Sequence, residues 1–275
     1  MTLASCDSRK TAGENPFFTQ WDTPHGVPPF DKILPEHFMP AFERGMSLHE
    51  AEIDAITSNK DEATFENTIL AYDNAGQMLA QAELVFGMLC AAETNDRMQA
   101  LQEQAMPLLA AHRDKIRLDD KLFARVKEVY DRRAALELDA EQMRLLQKTY
   151  DSFVRAGALL GPEQKARLKE INGQLSLTAV KFGNNILAEN NNFVLELKSD
   201  ELDGLPAGIR DAARDKARQM GKGDKWVFTL HKPSLIPLLT YSTRRDLREK
   251  IYKAYLNRCN NGDEYDNKQL INDFI

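Results

Sequence analysis

Between residues 139 and 162, apolar side chains return every three or four positions, at Met143, Leu146, Tyr150, Phe153 and Val154. That is the period of a helix with one buried face. Asp139 stands before the run with Gln142 three residues on, the spacing of an N-cap and its capping box, and Gly161-Pro162 closes it. The same period predicts helices near 35–57, 64–92, 95–116, 120–135 and 162–190. The last of these begins at Pro162, whose missing N–H costs nothing in a first turn. Connections of two to six residues place neighbouring helices antiparallel.

After "AENNN" the period changes. "FVLELK" (193–198) and "KWVFTL" (225–230) have the length and β-forming residues of strands, and "LPAGIRDAARDKARQMGKG" between them reads as a helix ended by Gly221. From 232 to 259 the chain returns to helix, with Leu247, Ile251, Ala254 and Tyr255 as its apolar stripe. The predicted fold is therefore mainly α, an antiparallel helical stack with a small two-stranded β insertion. A further stripe at Leu270, Ile271 and Phe274 has only begun when the sequence stops at Ile275, and this reads as a fragment of a longer protein.

Residues 1–34 differ from the rest. Prolines at 16, 24, 28, 29 and 35 exclude a helix, so residues 1–34 read as an extended arm and residues 35–275 as the helical region. Phe17, Phe18, Trp21 and Phe30 are costly to leave in water, which predicts an arm packed along the folded body.

With 43% hydrophobic and 28% charged residues in 275, the composition is that of a soluble globular protein. Net charge is -6, from 36 basic and 42 acidic residues, with no basic stripe interleaved with aromatics, which argues against nucleic acid as a partner. No uninterrupted apolar run approaches the ~18 residues of a membrane-spanning helix. Three cysteines, Cys6, Cys90 and Cys259, form neither a disulfide framework nor a zinc spacing. Cys90, in "LVFGMLCAA", reads as a small core residue. Cys6 ends "LASC", the recognition box of a bacterial lipoprotein signal, but only five residues precede it. Two readings stay open: a lipidated cysteine on a lipid-anchored, cell-envelope or periplasmic protein, or a chance match in a cytoplasmic one.

Five histidines, His25, His37, His49, His112 and His231, offer no pair three or four apart. His49-Glu50 opens like the zinc signature H-E-x-x-H, yet Ile53 stands where the second histidine belongs. His37 and His49 on one helix would lie roughly 18 Å apart, too far to share a metal. No metal ligand and no catalytic residue is therefore assigned. His49 and Glu50 are expected on a solvated helix face, and His37 packed or hydrogen-bonded locally at a helix start. The acidic run at 263–266 misses the EF-hand spacing and is expected to form a capping turn. "GKG" at 221–223 lacks the spacing of a phosphate loop, and G-x-S-x-G is absent.

"PFDKILPEHFMPAFERGM" (29–46) resembles the start of the zinc metallopeptidase family that includes thimet oligopeptidase, neurolysin, oligopeptidase A and bacterial peptidyl-dipeptidase. The likeness continues in order through "ATFENTILAYDNAG" (63–76), "EQMRLLQKTYDSFVRAGALL" (141–160), "FGNNILAENNNF" (182–193) and "WVFTLHKPSLIPLLTYSTRRDLREKIYKAYLNR" (226–258). "NPFFTQWDTPHGVPPFDKI" (15–33) is most similar to the peptidyl-dipeptidase branch. The resemblance implies that the chain is the N-terminal fragment of a larger, two-lobed zinc peptidase whose H-E-x-x-H and third ligand lie in a C-terminal catalytic half, with this region forming one wall of a narrow channel for short peptides. It implies zinc in the full-length enzyme and none bound by this chain. The alternative is a helical lipoprotein that binds a peptide or protein partner without chemistry.

Overall fold

The computed structural model describes residues 14–275. The Cys6 reading falls outside them. The chain is mainly α with a two-stranded antiparallel sheet, as its periodicity predicts. By its contacts it divides into two compact units, one ending at Leu177 and one running from Thr178 to Ile275.

The first unit opens with the arm. Among its described residues the prolines allow single 3-10 turns at Pro16–Phe18 and Pro24–Gly26, each with proline in the first positions, and no α-helix. Phe17 is buried 5.4 Å, ring to ring, from Phe38, and Trp21 donates its indole N–H to the Pro16 carbonyl at 2.8 Å, so this part of the arm packs on the body as expected. Phe30 does not, and stays 41% exposed. Helix α1 (Phe38–Ser58) carries Phe38 and Phe42 to a cluster with Phe86, where Phe86 lies 4.9 Å and 5.3 Å from their ring centroids. Each fully buried ring contributes roughly 1.5–3 kcal/mol by transfer from water.

The helix expected over 64–92 is interrupted. Thr64 and Asn67 form a reciprocal cap (3.1 and 2.9 Å), and a π-helical turn, Phe65–Leu70, runs into the short α2 (Ala71–Asp73). The chain then turns through Gly76, at φ +75°, before α3 (Gln77–Ala92). The Gly76 amide donates to Glu52 Oε2 at 2.7 Å, so it is drawn out of any continuous helical ladder. This stretch, Phe65–Ala92, has a window of mean hydropathy 1.2 and by length and composition alone could cross a membrane. It is broken at Gly76, and it buries Ile69, Leu79, Ala82, Val85 and Phe86 inside the unit while leaving Leu70, Leu84 and Met88 exposed.

Helices α4 (Asp96–Arg117), α5 (Asp120–Asp131) and α6 (Ala140–Arg155) fall near their predicted places. The Asp139–Gln142 capping box is present in both directions, at 2.8 and 3.1 Å. Leu146 and Phe153 are wholly buried, and Tyr150 stacks on Tyr130 at 3.8 Å between centroids. Helix α7 (Pro162–Asn192) starts at its proline.

In the second unit, β1 (Leu195–Leu197) pairs antiparallel with β2 (Trp226–Phe228), Glu196 opposite Val227. Leu195 and Leu197 face the core while Glu196 faces out. Between the strands lies α8 (Ala207–Gln219), ended by Gly221 at φ +69°. The helical return at 232–259 is two helices, α9 (Lys232–Tyr241) and α10 (Arg245–Leu256). They are parted where Thr243 N turns to donate to the Asp203 carbonyl at 3.2 Å. Leu247 and Ile251 are buried, with Ala254 and Tyr255 packed beside them, as their spacing predicts. Helix α11 (Lys268–Phe274) follows.

Candidate functional site

The described histidines go to different tasks. His37 accepts from the Leu34 amide through Nδ1 at 3.1 Å, which settles its role at the helix start as hydrogen bonding, one of the two local roles expected there. His231 Nε2 lies 3.2 Å from Asn191 Oδ1. His49 and His112, 63 residues apart, meet: His112 Nε2 is 3.0 Å from His49 Nδ1, with ring centroids 5.1 Å apart. His49-Glu50 is thus not a freely solvated face. It packs on α4, because α1 and α4 cross here and both histidines continue buried stripes, Phe42–Gly45–Ile53 on α1 and Ala105–Leu109–Ile116 on α4.

The His112 side chain is 3% exposed. Its Nδ1 is buried without a hydrogen-bond partner at ordinary distance, and Glu50 Oε1 lies 3.5 Å away. Glu50 also takes Lys115 Nζ at 2.8 Å, which holds its carboxyl below the usual range. Burial lowers the affinity of both imidazoles for a proton. For His49 the neighbouring His112 adds to that effect; for His112 Glu50 opposes it. Glu52 is engaged by the Gly76 amide.

This arrangement does not fit zinc. A catalytic zinc takes three protein ligands and leaves a fourth position open. His49 and His112 direct their nitrogens at each other, and among the described residues no group of three His, Cys, Asp or Glu side chains is placed to hold a metal.

The acidic run also serves the backbone, and forms the capping turn its spacing suggests. Asp266 accepts from the Gly262 and Lys268 amides at 2.7 and 2.9 Å, and Asp263 from the Tyr265 amide at 3.0 Å. Cys90 is half-buried against the Phe38–Phe86 cluster and Cys259 is buried, and burial pushes both thiols up to about 11. Neither is poised as a thiolate nucleophile at neutral pH. The second unit holds an apolar recess of about 370 Å3 lined by Thr178, Ala179, Phe182, Leu270, Ile271 and Phe274.

No family model matches the chain. Curated proteins do. It is 36% identical over 258 residues to a dipeptidyl carboxypeptidase of Escherichia coli K12, covering 94% of this chain and 38% of that protein. The chain belongs to the thimet oligopeptidase-type family. A Salmonella typhimurium dipeptidyl carboxypeptidase is 34% identical over 94% of this chain and 38% of its own length. An oligopeptidase A of Haemophilus influenzae is 28% identical over 91% and 37%. The match is to the N-terminal part of these peptidases, and the chain spans a little over a third of their length. The "HFMPAFERGM" and "ATFENTILAYDNAG" stretches that carry the resemblance form α1 and the π-turn to Gly76, around the His49–Glu52 cluster.

Proposed function

We propose that this chain is the non-catalytic N-terminal half of a zinc metallopeptidase of peptidyl-dipeptidase type. The full-length enzyme would release dipeptides from the C-termini of short peptides, and this half would form a wall of the substrate channel. The observation that carries the reading is the match over 94% of the chain to a protein named for dipeptidyl carboxypeptidase activity, of which it spans 38%. The sequence adds support, since it has no H-E-x-x-H and its five histidines supply no ligand set at the usual spacing. The partners in this reading are short peptides and the C-terminal catalytic half, which would hold the zinc. A wall contributes by orientation, and misplacing a reacting group by about 1 Å can cost on the order of a hundredfold in rate.

The test compares the 275-residue chain with the longer protein that includes the family's C-terminal part. Free and C-terminally blocked tetrapeptides are offered to each, with and without a chelator. Chelator-sensitive dipeptide release from the free tetrapeptide by the longer protein alone is the expected result. Release by the 275-residue chain would overturn the assignment of catalysis to the other half. A longer protein inert towards all short peptides would favour a helical lipoprotein that binds without chemistry.

A further inference from the structure

The meeting of His49, His112 and Glu50 has no part in the peptidase reading and stands independently of it. Two imidazoles joined nitrogen to nitrogen at 3.0 Å need one donor and one acceptor. The neighbours decide which is which. If His112 donated from Nε2, its Nδ1 would present a bare lone pair, in a buried place, to the Glu50 carboxylate 3.5 Å away. With the hydrogen on Nδ1, His112 instead directs an N–H at a carboxylate and accepts from His49 Nδ1–H through Nε2. His49, half-buried, then keeps its own Nε2 free to take up a proton.

We propose that His49, His112 and Glu50 form an acid-release latch between α1 and α4, which holds while the histidine pair carries at most one extra proton and opens when both rings are charged. The first proton goes to His49 Nε2 and leaves the N–H···N bond in place, now assisted by charge. The second can go only to His112 Nε2, which removes the acceptor and sets two imidazolium ions face to face. The charged groups around the pair are Glu50 and Glu52 from α1 and Arg113 and Lys115 from α4. On the adjoining elements, Glu83 of α3 interacts with Arg113, and Asp73 of α2 lies beside the Tyr72–Arg117 contact. Glu52 is occupied by the Gly76 amide and Glu50 by Lys115, so neither carboxylate is free to close fully on a doubly charged pair.

The linkage has a definite sign. Both histidines bind protons less readily folded than unfolded. Stability from the pair is therefore complete above the ordinary histidine value of about 6.5, and falls as pH drops through the lower folded values.

The experiment is a double-mutant cycle on the 275-residue chain, His49→Gln against His112→Gln, read by hydrogen exchange of the α1 and α4 amides in urea at pH 7.5 and pH 4.5. The cycle cancels the titration of distant carboxylates. The expected coupling at pH 7.5 is about fivefold in the unfolding equilibrium, the size of one buried hydrogen bond. It should vanish or reverse at pH 4.5. Equal coupling at both pH values, or none at pH 7.5, overturns the latch. Should His112→Gln fail to fold, nitrogen-15 shifts of the unmutated chain decide: His112 protonated at Nδ1 at pH 7.5 supports the proposal, and the opposite tautomer sinks it. Glu50→Gln gives a further readout that a purely structural role would not. Without the carboxylate His112 binds the second proton still less readily in the closed state, so by the same linkage the latch should be lost at higher pH; loss at unchanged or lower pH would count against it.

Discussion

Gly76→Ala tests the packing around the histidine pair from its other side. Gly76 sits at φ +75°, and a Cβ added there would meet His49 Nδ1 at 2.9 Å, with Cε1 at 3.0 Å and Cγ at 3.1 Å. Two costs follow. The left-handed backbone strains an alanine by roughly 1–2 kcal/mol, offset by about 0.4–1 kcal/mol because alanine has less freedom to lose from the unfolded chain. The His49 ring must also retreat from the new Cβ, 2.9 Å from its Nδ1, which pulls Nδ1 from His112 and leaves a buried imidazole without its partner, for a further ~1–3 kcal/mol. The expected total is about 1–4.5 kcal/mol. The two compact units need not unfold together, so hydrogen exchange followed peptide by peptide in urea is the suitable assay, read on α1, α3 and α4. The His49→Ala background separates the costs, because it removes the ring but not the left-handed backbone. Gly76→Ala should then cost only about 1 kcal/mol. The reasoning fails if Gly76→Ala is neutral, or if its cost is the same with and without the His49 ring.

Other expectations follow from single contacts. Asp139→Ala removes the side-chain half of the capping box on α6, the acceptor for the Gln142 amide, and should cost about 1 kcal/mol by hydrogen exchange of the α6 amides in urea, with Asp139→Asn recovering most of it. Phe153→Ala empties a wholly buried site beside Phe123 and Tyr72 and should cost ~3–5 kcal/mol, seen as faster exchange of the α5 and α6 amides. The 275-residue chain, dialysed and analysed for metal, should hold less than stoichiometric zinc; one tightly bound zinc per chain would overturn the assignment of His49 and His112 to a hydrogen bond. If Cys6 carries a lipid, membrane association of the longer protein should be lost in Cys6→Ala, and unchanged association would remove the lipoprotein reading.

The helices were legible because each is declared locally. Asp139 and Gln142 mark a start, Pro162 marks another, and apolar residues at three- and four-residue steps bury one face, so neither tertiary partner nor register is needed to place them. The break at Gly76 was harder to read. Asn74 and Gly76 are turn residues, but the apolar period runs on through them, and what fixes the turn is a carboxylate 24 residues away, Glu52. Similarly, two helices were hidden in the stretch after Lys232, because the parting at Thr243 depends on the Asp203 carbonyl 40 residues earlier. Period finds faces; it does not find partners.

The histidine cluster shows the same limit where chemistry is concerned. Spacing along one helix offers no zinc motif at His49-Glu50, and from that suggests that a charged pair with no ligand role should face water. The stripe positions argued otherwise: His49 follows Phe42 and Gly45 and precedes Ile53 and Ile56, while His112 lies between Leu109 and Ile116, so each histidine sits where its helix is otherwise buried. A polar side chain on a buried stripe must find a hydrogen-bond partner on another element, since leaving one unpaired costs about 1–3 kcal/mol. Two such histidines on helices that pack together are each other's natural partners. That inference needs only the stripes and the α1–α4 contact, and it turns a failed metal motif into a statement about which helices touch and at what pH they should let go.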